Sequence, residues 1–273
     1  MKVIETIHLF PVINDKLVSF LKSLSKEDWQ KQTVAKKWVI KDVASHLLDG
    51  NLRRIAMHRD GWFNVVGNIN SYTDLVNYLN ELNADWVKAT KRLSPQLIID
   101  LLEQTNQQVF ELFKRMDPFA ASIFPVDWAG ESESQNWMDI AREYTERWHH
   151  QQQIRDAMND DGILTTQLYF PLLNIFMLAW PHACKDVDAS EGTTLKVKIT
   201  GEGGGEWYLI KINKGWQLSE KPESIISETI IDGSIAWKLF SKSVRKDEVK
   251  EFYSIRGDHA LGETVLNMVS VMA

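Results

Sequence analysis

The 273-residue sequence contains one cysteine, Cys184. A lone thiol cannot close an intramolecular disulfide, so burial must hold the fold and a reducing compartment, the cytoplasm, is expected. The N-terminus shows no secretion-type cleavage signature, since Glu5 and His8 interrupt its short apolar stretch. Long apolar runs are also missing. The strongest, Leu168 to Trp180, is broken by Pro171 and Asn174. It falls short of the roughly 20 residues a spanning helix needs, so it reads as a buried helix and no membrane partner is expected. Positive charge is scarce, with 31 Lys and Arg against 37 Asp and Glu and a net charge of −6. A phosphate-binding face needs the opposite balance, so nucleic acid is not an expected partner. Internal repeats and low-complexity tracts are absent.

What is present suits a globular core. Hydrophobic residues make up 44% and charged residues 25%, ordinary values for a folded chain. Eleven tryptophans are many for the length, and packing is the expected role of most of them.

The first half reads as successive amphipathic helices. From Thr6 to Leu24, the residues Leu9, Val12, Ile13, Leu17, Phe20 and Leu21 recur at helical spacings of three and four. A second helix is predicted from Val39 to Met57, with Val43, His46, Leu47 and Ile55 inward and Gly61 as its stop. A third spans about Tyr72 to Leu93. Ser94-Pro95 opens a fourth with a broad apolar face. After a loop from Pro125 to Ser134, helix resumes from Trp137 to about Met158. Helices with short connections are what a bundle requires.

The pattern changes after about Asp186. Leu195, Val197 and Ile199 alternate with Lys196 and Lys198, the period of a half-buried strand. Gly201 to Gly205 carries too many glycines to ignore, but it joins two strand-like stretches and Glu206 breaks the dinucleotide fingerprint, so a hairpin turn is predicted. Further strands are expected at Ser224–Ile231 and Val249–Ile255, and helices at Gly233–Phe240 and Ala260–Met272. The expected fold class is α+β in two domains: a helical bundle over 1–161, a connecting segment over 162–190 and a small α+β domain over 191–273.

Two of the seven histidines carry the most chemistry. Glu146 and His150 are four apart on a predicted helix, which sets a carboxylate and an imidazole one turn apart on one face. His46, on the second predicted helix among apolar neighbours, is the candidate third ligand. Two histidines and one carboxylate leave coordination positions open, as in catalytic zinc and non-haem iron sites. The spacing alone is also that of a surface ion pair and a satisfied core histidine. His149 points about 100° away from His150, so it is expected to be exposed, or to sit behind the ligands or against substrate.

At these residues the chain resembles the DinB/YfiT-like metalloprotein superfamily, and more closely the mycothiol-dependent maleylpyruvate isomerase family. Trp38-Val39-Ile40-Lys41-Asp42-Val43-Ala44-Ser45-His46-Leu47 is similar to the family's tryptophan-led helix with the first metal histidine. Arg142 to His150, followed by Ala157, resembles its Glu-x-x-x-His helix. Ile255-Arg256-Gly257-Asp258-His259-Ala260-Leu261-Gly262 is similar to a turn in its sterol-carrier-like C-terminal domain. There are two departures: Gln153 stands where relatives have Asp, and Ser241-Lys242 where they have Gly-Arg.

The resemblance implies a DinB-like four-helix bundle that binds a divalent metal through His46, Glu146 and His150, with zinc expected first and nickel or iron as alternatives. It implies a low-molecular-weight thiol cosubstrate, isomerisation or transfer on a small electrophile, and a homodimer. Lys242 is then a candidate substrate contact. The alternative is a non-catalytic metal- and ligand-binding protein with an apolar pocket between domains, bordered by Trp207, Trp216 and Trp237.

Overall fold

The computed structural model describes residues 3–63, 71–220 and 224–271. Its helices are α1 (Phe10–Ser23), α2 (Ile40–Asp60), α3 (Tyr72–Thr90), α4 (Pro95–Arg115), α5 (Asn136–Asp156), α6 (Tyr169–Phe176), α7 (Trp180–Ala183), α8 (Gly233–Phe240) and α9 (His259–Gly262). Its strands are β1 (Thr194–Ile199), β2 (Gly205–Ile212), β3 (Gly215–Ser219), β4 (Ile225–Ile231) and β5 (Tyr253–Gly257). The chain divides into two compact units. The helical unit comprises Glu5–Ala120 and Glu146–Asp161; the other comprises Met1–Ile4, Ala121–Thr145 and Gly162–Ala273. The first ten residues of α5 therefore belong to the second unit and the rest to the helical unit. Among the described residues no helix is long and apolar enough to cross a membrane.

In the helical unit, the apolar residues recurring every three or four positions meet in one core. Leu17 and Leu21 of α1, Val43, Leu47 and Leu48 of α2, Ile98 and Leu102 of α4 and Ile154 of α5 are buried together with Trp29. Each such side chain contributes about 1.5–3 kcal/mol by leaving water. The helix ends follow local chemistry. The Ser94 hydroxyl accepts from the Leu97 amide at 3.2 Å, and Pro95 occupies the first turn of α4. Gly61 ends α2 at φ 64°, a left-handed conformation that glycine adopts at little cost. Ahead of α2, the Asp42 carboxylate accepts from the Val39 amide at 3.2 Å, and the Thr33 hydroxyl donates to the Trp38 carbonyl at 2.8 Å. These bonds fix the entry of the helix that carries His46.

The other unit is built on a five-stranded sheet of order β3-β2-β1-β4-β5. Strands β1 and β4 run parallel, and the other pairs are antiparallel. Leu195, Val197 and Ile199 are buried as their alternation predicts. The glycine cluster turns the β1–β2 hairpin, and a Cβ on Gly204 would lie 2.1 Å from the Ile199 carbonyl oxygen. Trp216 and Trp237 are buried, and Trp207 donates to Asn174 and stacks on Phe170.

Several expectations need correction in this unit. Strand β3 was not foreseen, because five residues around Trp216 carry too short a pattern. The strand expected at Val249–Ile255 starts at Tyr253, after 3₁₀ turns at Lys246–Glu248 and Lys250–Phe252. The expected closing helix Ala260–Met272 shrinks to α9 and a 3₁₀ turn at Val265–Asn267; Met272 lies outside the described residues. Ser270 explains the loss, since its amide donates to the Phe240 carbonyl and its hydroxyl to the Phe176 carbonyl, each at 3.0 Å. The buried Leu168–Trp180 stretch is not one helix either: α6 passes through a 3₁₀ turn at Met177–Ala179 into α7.

Candidate functional site

Helices α2 and α5 bring His46, Glu146 and His150 together within the helical unit. The His46 and His150 rings meet edge to face with centroids 4.6 Å apart. Glu146 Oε2 lies 3.3 Å from His150 Nε2. Trp38 leans on both imidazoles, at 4.9 Å from His46 and 6.5 Å from His150. His46 Nδ1 is buried and has no hydrogen-bond partner, a costly condition for a polar atom. Burial, then the neighbouring His150, pushes the His46 pKa well below its ordinary value. Burial raises the Glu146 pKa, but the adjacent histidines, His150 foremost, outweigh this and hold it at about 2.

His149 is not exposed. It is buried at 6% exposure, and burial followed by the adjacent His150 pushes its pKa down to about 3. Its ring therefore stays neutral near pH 7. Gln153 joins the two histidines: its Oε1 is 2.9 Å from His150 Nδ1 and its Nε2 is 3.2 Å from His149 Nε2. In the sequence, Gln153 stands out only as a departure from the family pattern. Its positions three residues after His150 and four after His149 were the available signal.

Arg147 was missed as well. It is buried on α5, and its Nη1 donates to Asn14 Oδ1 at 3.0 Å and Asn106 Oδ1 at 2.8 Å. Its Nη2 donates to Asn51 Oδ1, and the guanidinium sits 5.3 Å from the Phe10 ring centroid. Lys242 belongs to the other unit. It is exposed and adopts φ 55°, in the left-handed region.

The donor types suit a divalent cation, and one distance does too. Metal–ligand bonds of about 2.0–2.1 Å at a tetrahedral angle separate two ligand atoms by about 3.3–3.4 Å, close to the 3.3 Å between Glu146 Oε2 and His150 Nε2. An ion pair with a protonated His150 would have the same separation. As the side chains stand, no group of three His, Cys, Asp or Glu among the described residues is set to hold a metal ion. The structure thus presents a two-donor edge with His46 beside it.

The family described as the mycothiol maleylpyruvate isomerase N-terminal domain matches residues 11–155, more than half of the chain. The protein belongs to this family. No curated protein matches the chain. Two solved structures share its fold: the mycothiol-dependent maleylpyruvate isomerase, at 9% identity, and a histidine-to-alanine mutant of that enzyme, at 8%. In each case the TM-score is 0.56 and the match covers 94% of this chain and 95% of the other. The matched segment contains His46, Glu146, His149, His150 and Gln153 but not Lys242.

Proposed function

We propose that this family member is a metal-dependent enzyme that uses a low-molecular-weight thiol to isomerise, or transfer a group on, a small electrophilic substrate. His46, Glu146 and His150 would hold one divalent cation, zinc first, with nickel or iron as alternatives. The observation that carries the reading is the Glu146–His150 edge of 3.3 Å with a second imidazole, His46, at 4.6 Å from that of His150. A bound divalent metal would supply Lewis acidity, making a thiol or water deprotonated near neutral pH.

The chain's own residues set the conditions for that chemistry. Glu146, kept ionised foremost by its contact with His150, contributes the negative charge that a dication needs. Trp38 shields the His46 and His150 rings from water on one side. His149, buried and neutral, adds no positive charge to oppose a cation. Cys184 is buried, which favours an external thiol over an internal one.

The test is metal content per chain in freshly purified wild type and in Glu146→Ala and His150→Ala. One divalent metal in the wild type, lost in both variants, is expected. Thiol-dependent turnover of maleylpyruvate or a related electrophile should disappear on chelation and return with zinc. A wild type that takes up no zinc, nickel or iron would sink the reading.

A further inference from the structure

Helix α2 brings more to the site than His46. Turning by about 100° per residue, it sets His46, Asp49 and Arg53 within an arc of about 60° on one face. Arg53 lies about 10.5 Å further along the axis than His46 and within about 20° of it in direction. Helical side chains lean towards the N-terminus, so that of Arg53 reaches back over the gap. Its charge is felt at the ring: burial and His150 depress the His46 pKa most, and Arg53 depresses it further.

Asp49 holds the guanidinium from one side. Its Oδ2 is 3.2 Å from Arg53 Nε, and the two side chains are 10% and 38% exposed. Among the described residues Asp49 is the only charged partner of Arg53. A group with five N–H donors is thus anchored at one edge and open to solvent elsewhere. The Glu146 side chain is 36% exposed, so a small molecule can reach the cluster from solvent.

We propose that Arg53 is a specificity-determining residue that binds a carboxylate of the substrate while the electrophilic carbon lies at His46, Glu146 and His150. The second half of this inference rests on the function proposed above; the anion contact does not. A guanidinium gives a carboxylate two parallel N–H bonds, a fork that a lysine cannot offer. The spacing also sets size, since an arginine within two helical turns of the ligands suits an acid only a few carbons long. Asp49 offsets the guanidinium charge, which limits repulsion between Arg53 and a bound dication.

The experiment is calorimetric titration of succinate, an unreactive four-carbon diacid, and of its neutral diamide into full-length protein of measured zinc content. The wild type should bind succinate and prefer it to the diamide. Arg53→Gln should weaken succinate about 10–100-fold, the range for charge-assisted hydrogen bonds, with zinc content unchanged. Arg53→Lys keeps the charge but not the fork, so it should lose part of the affinity. Arg59→Gln removes the same charge from α2, but Arg59 points about 140° away from His46 and is paired with Asp60. Its succinate affinity should stay at the wild-type value.

The preference for succinate over the diamide is read within each protein, so partial unfolding of a variant does not mimic its loss. Equal succinate affinity in wild type and Arg53→Gln would overturn the proposal. An equal loss in Arg59→Gln would do the same, as the mark of a general charge effect, and so would a wild type that does not bind succinate. If the wild type takes up no zinc, the metal reading fails by itself, and the same titrations of metal-free protein still decide the role of Arg53.

Discussion

Helices α4 and α5 are each 21 residues long, yet they are buried in different ways. Along α4, the buried residues Ile98, Leu102, Thr105, Val109 and Phe113 form one stripe, and Glu103, Gln104 and Gln107 face water. Along α5, burial reaches nearly every side and takes in Asp139, Glu143, Arg147, His149, Gln151, Gln152, Gln153 and Arg155. Apolar burial needs only a matching surface. Polar burial needs a partner for each donor and acceptor, because an unpaired one costs about 1–3 kcal/mol. Helix α4 is held mainly by area, whereas α5 adds named bonds to a buried apolar set that includes Tyr144, Trp148 and Ile154, and the candidate site lies on the helix that needs both.

Breaking those bonds should therefore have the largest effect. Arg147→Met leaves the Asn14, Asn51 and Asn106 carbonyls without their guanidinium donor. A loss of about 2–5 kcal/mol is expected in urea unfolding, since each buried acceptor left without a donor costs about 1–3 kcal/mol. A loss below 1 kcal/mol would mean that the network contributes little and α5 is held by area after all.

Leu102→Ala is the counterpart on α4. Leu102 is fully buried, and a cavity there should cost about 2–5 kcal/mol, with metal uptake unchanged once the protein is folded. Loss of metal uptake in a folded Leu102→Ala protein would show that α4 bears on the site.

The two helices should also part under pH, since α4 contains no histidine. Folding lowers the His149 pKa from 6.5 to about 3, and His46 moves in the same direction. Between those values the unfolded chain binds a proton that the folded chain refuses. Stability is therefore complete above pH 6.5 and falls as pH drops towards 3, by up to about 1.4 kcal/mol per pH unit for each histidine. Urea unfolding of metal-free protein at pH 7.5 and pH 5 measures the slope. His149→Gln should flatten part of it; an unchanged slope would mean that other groups control acid unfolding.

The smallest effect belongs to the solvent face of α4. Lys22 and Glu103 form an ion pair, but both side chains are nearly half exposed. Glu103→Ala should change stability by no more than about 0.5 kcal/mol. A larger change would contradict the division between a dry stripe and an inert wet face.

The same contrast explains what could be read from the chain in advance. Helix α4 was legible because its apolar residues repeat at the helical period and Ser94-Pro95 marks its start. Helix α5 could be located, and the Glu146–His150 spacing singled out, but its surroundings could not be derived. The pattern does not reveal that Arg147 reaches Asn14, Asn51 and Asn106, which come from three other helices. Nor does it reveal that His149 is buried, because a position 100° from His150 faces water on a surface helix and protein on an enclosed one. The C-terminal segment misled for a related reason: Ala260–Met272 has helical composition, but Ser270 finds better partners in the Phe240 and Phe176 carbonyls.

By itself, the sequence determined the local elements: the helical periods, the α4 cap, the glycine hairpin between β1 and β2, and the one-turn spacing of Glu146 and His150. These depend on residues within a few positions of one another, where backbone geometry alone brings side chains together. Only the tertiary structure decided which imidazole stands beside that pair, that Gln153 is enclosed with both histidines, and that α5 is surrounded on nearly every side. Those are contacts between residues distant in sequence, and they depend on how whole helices pack.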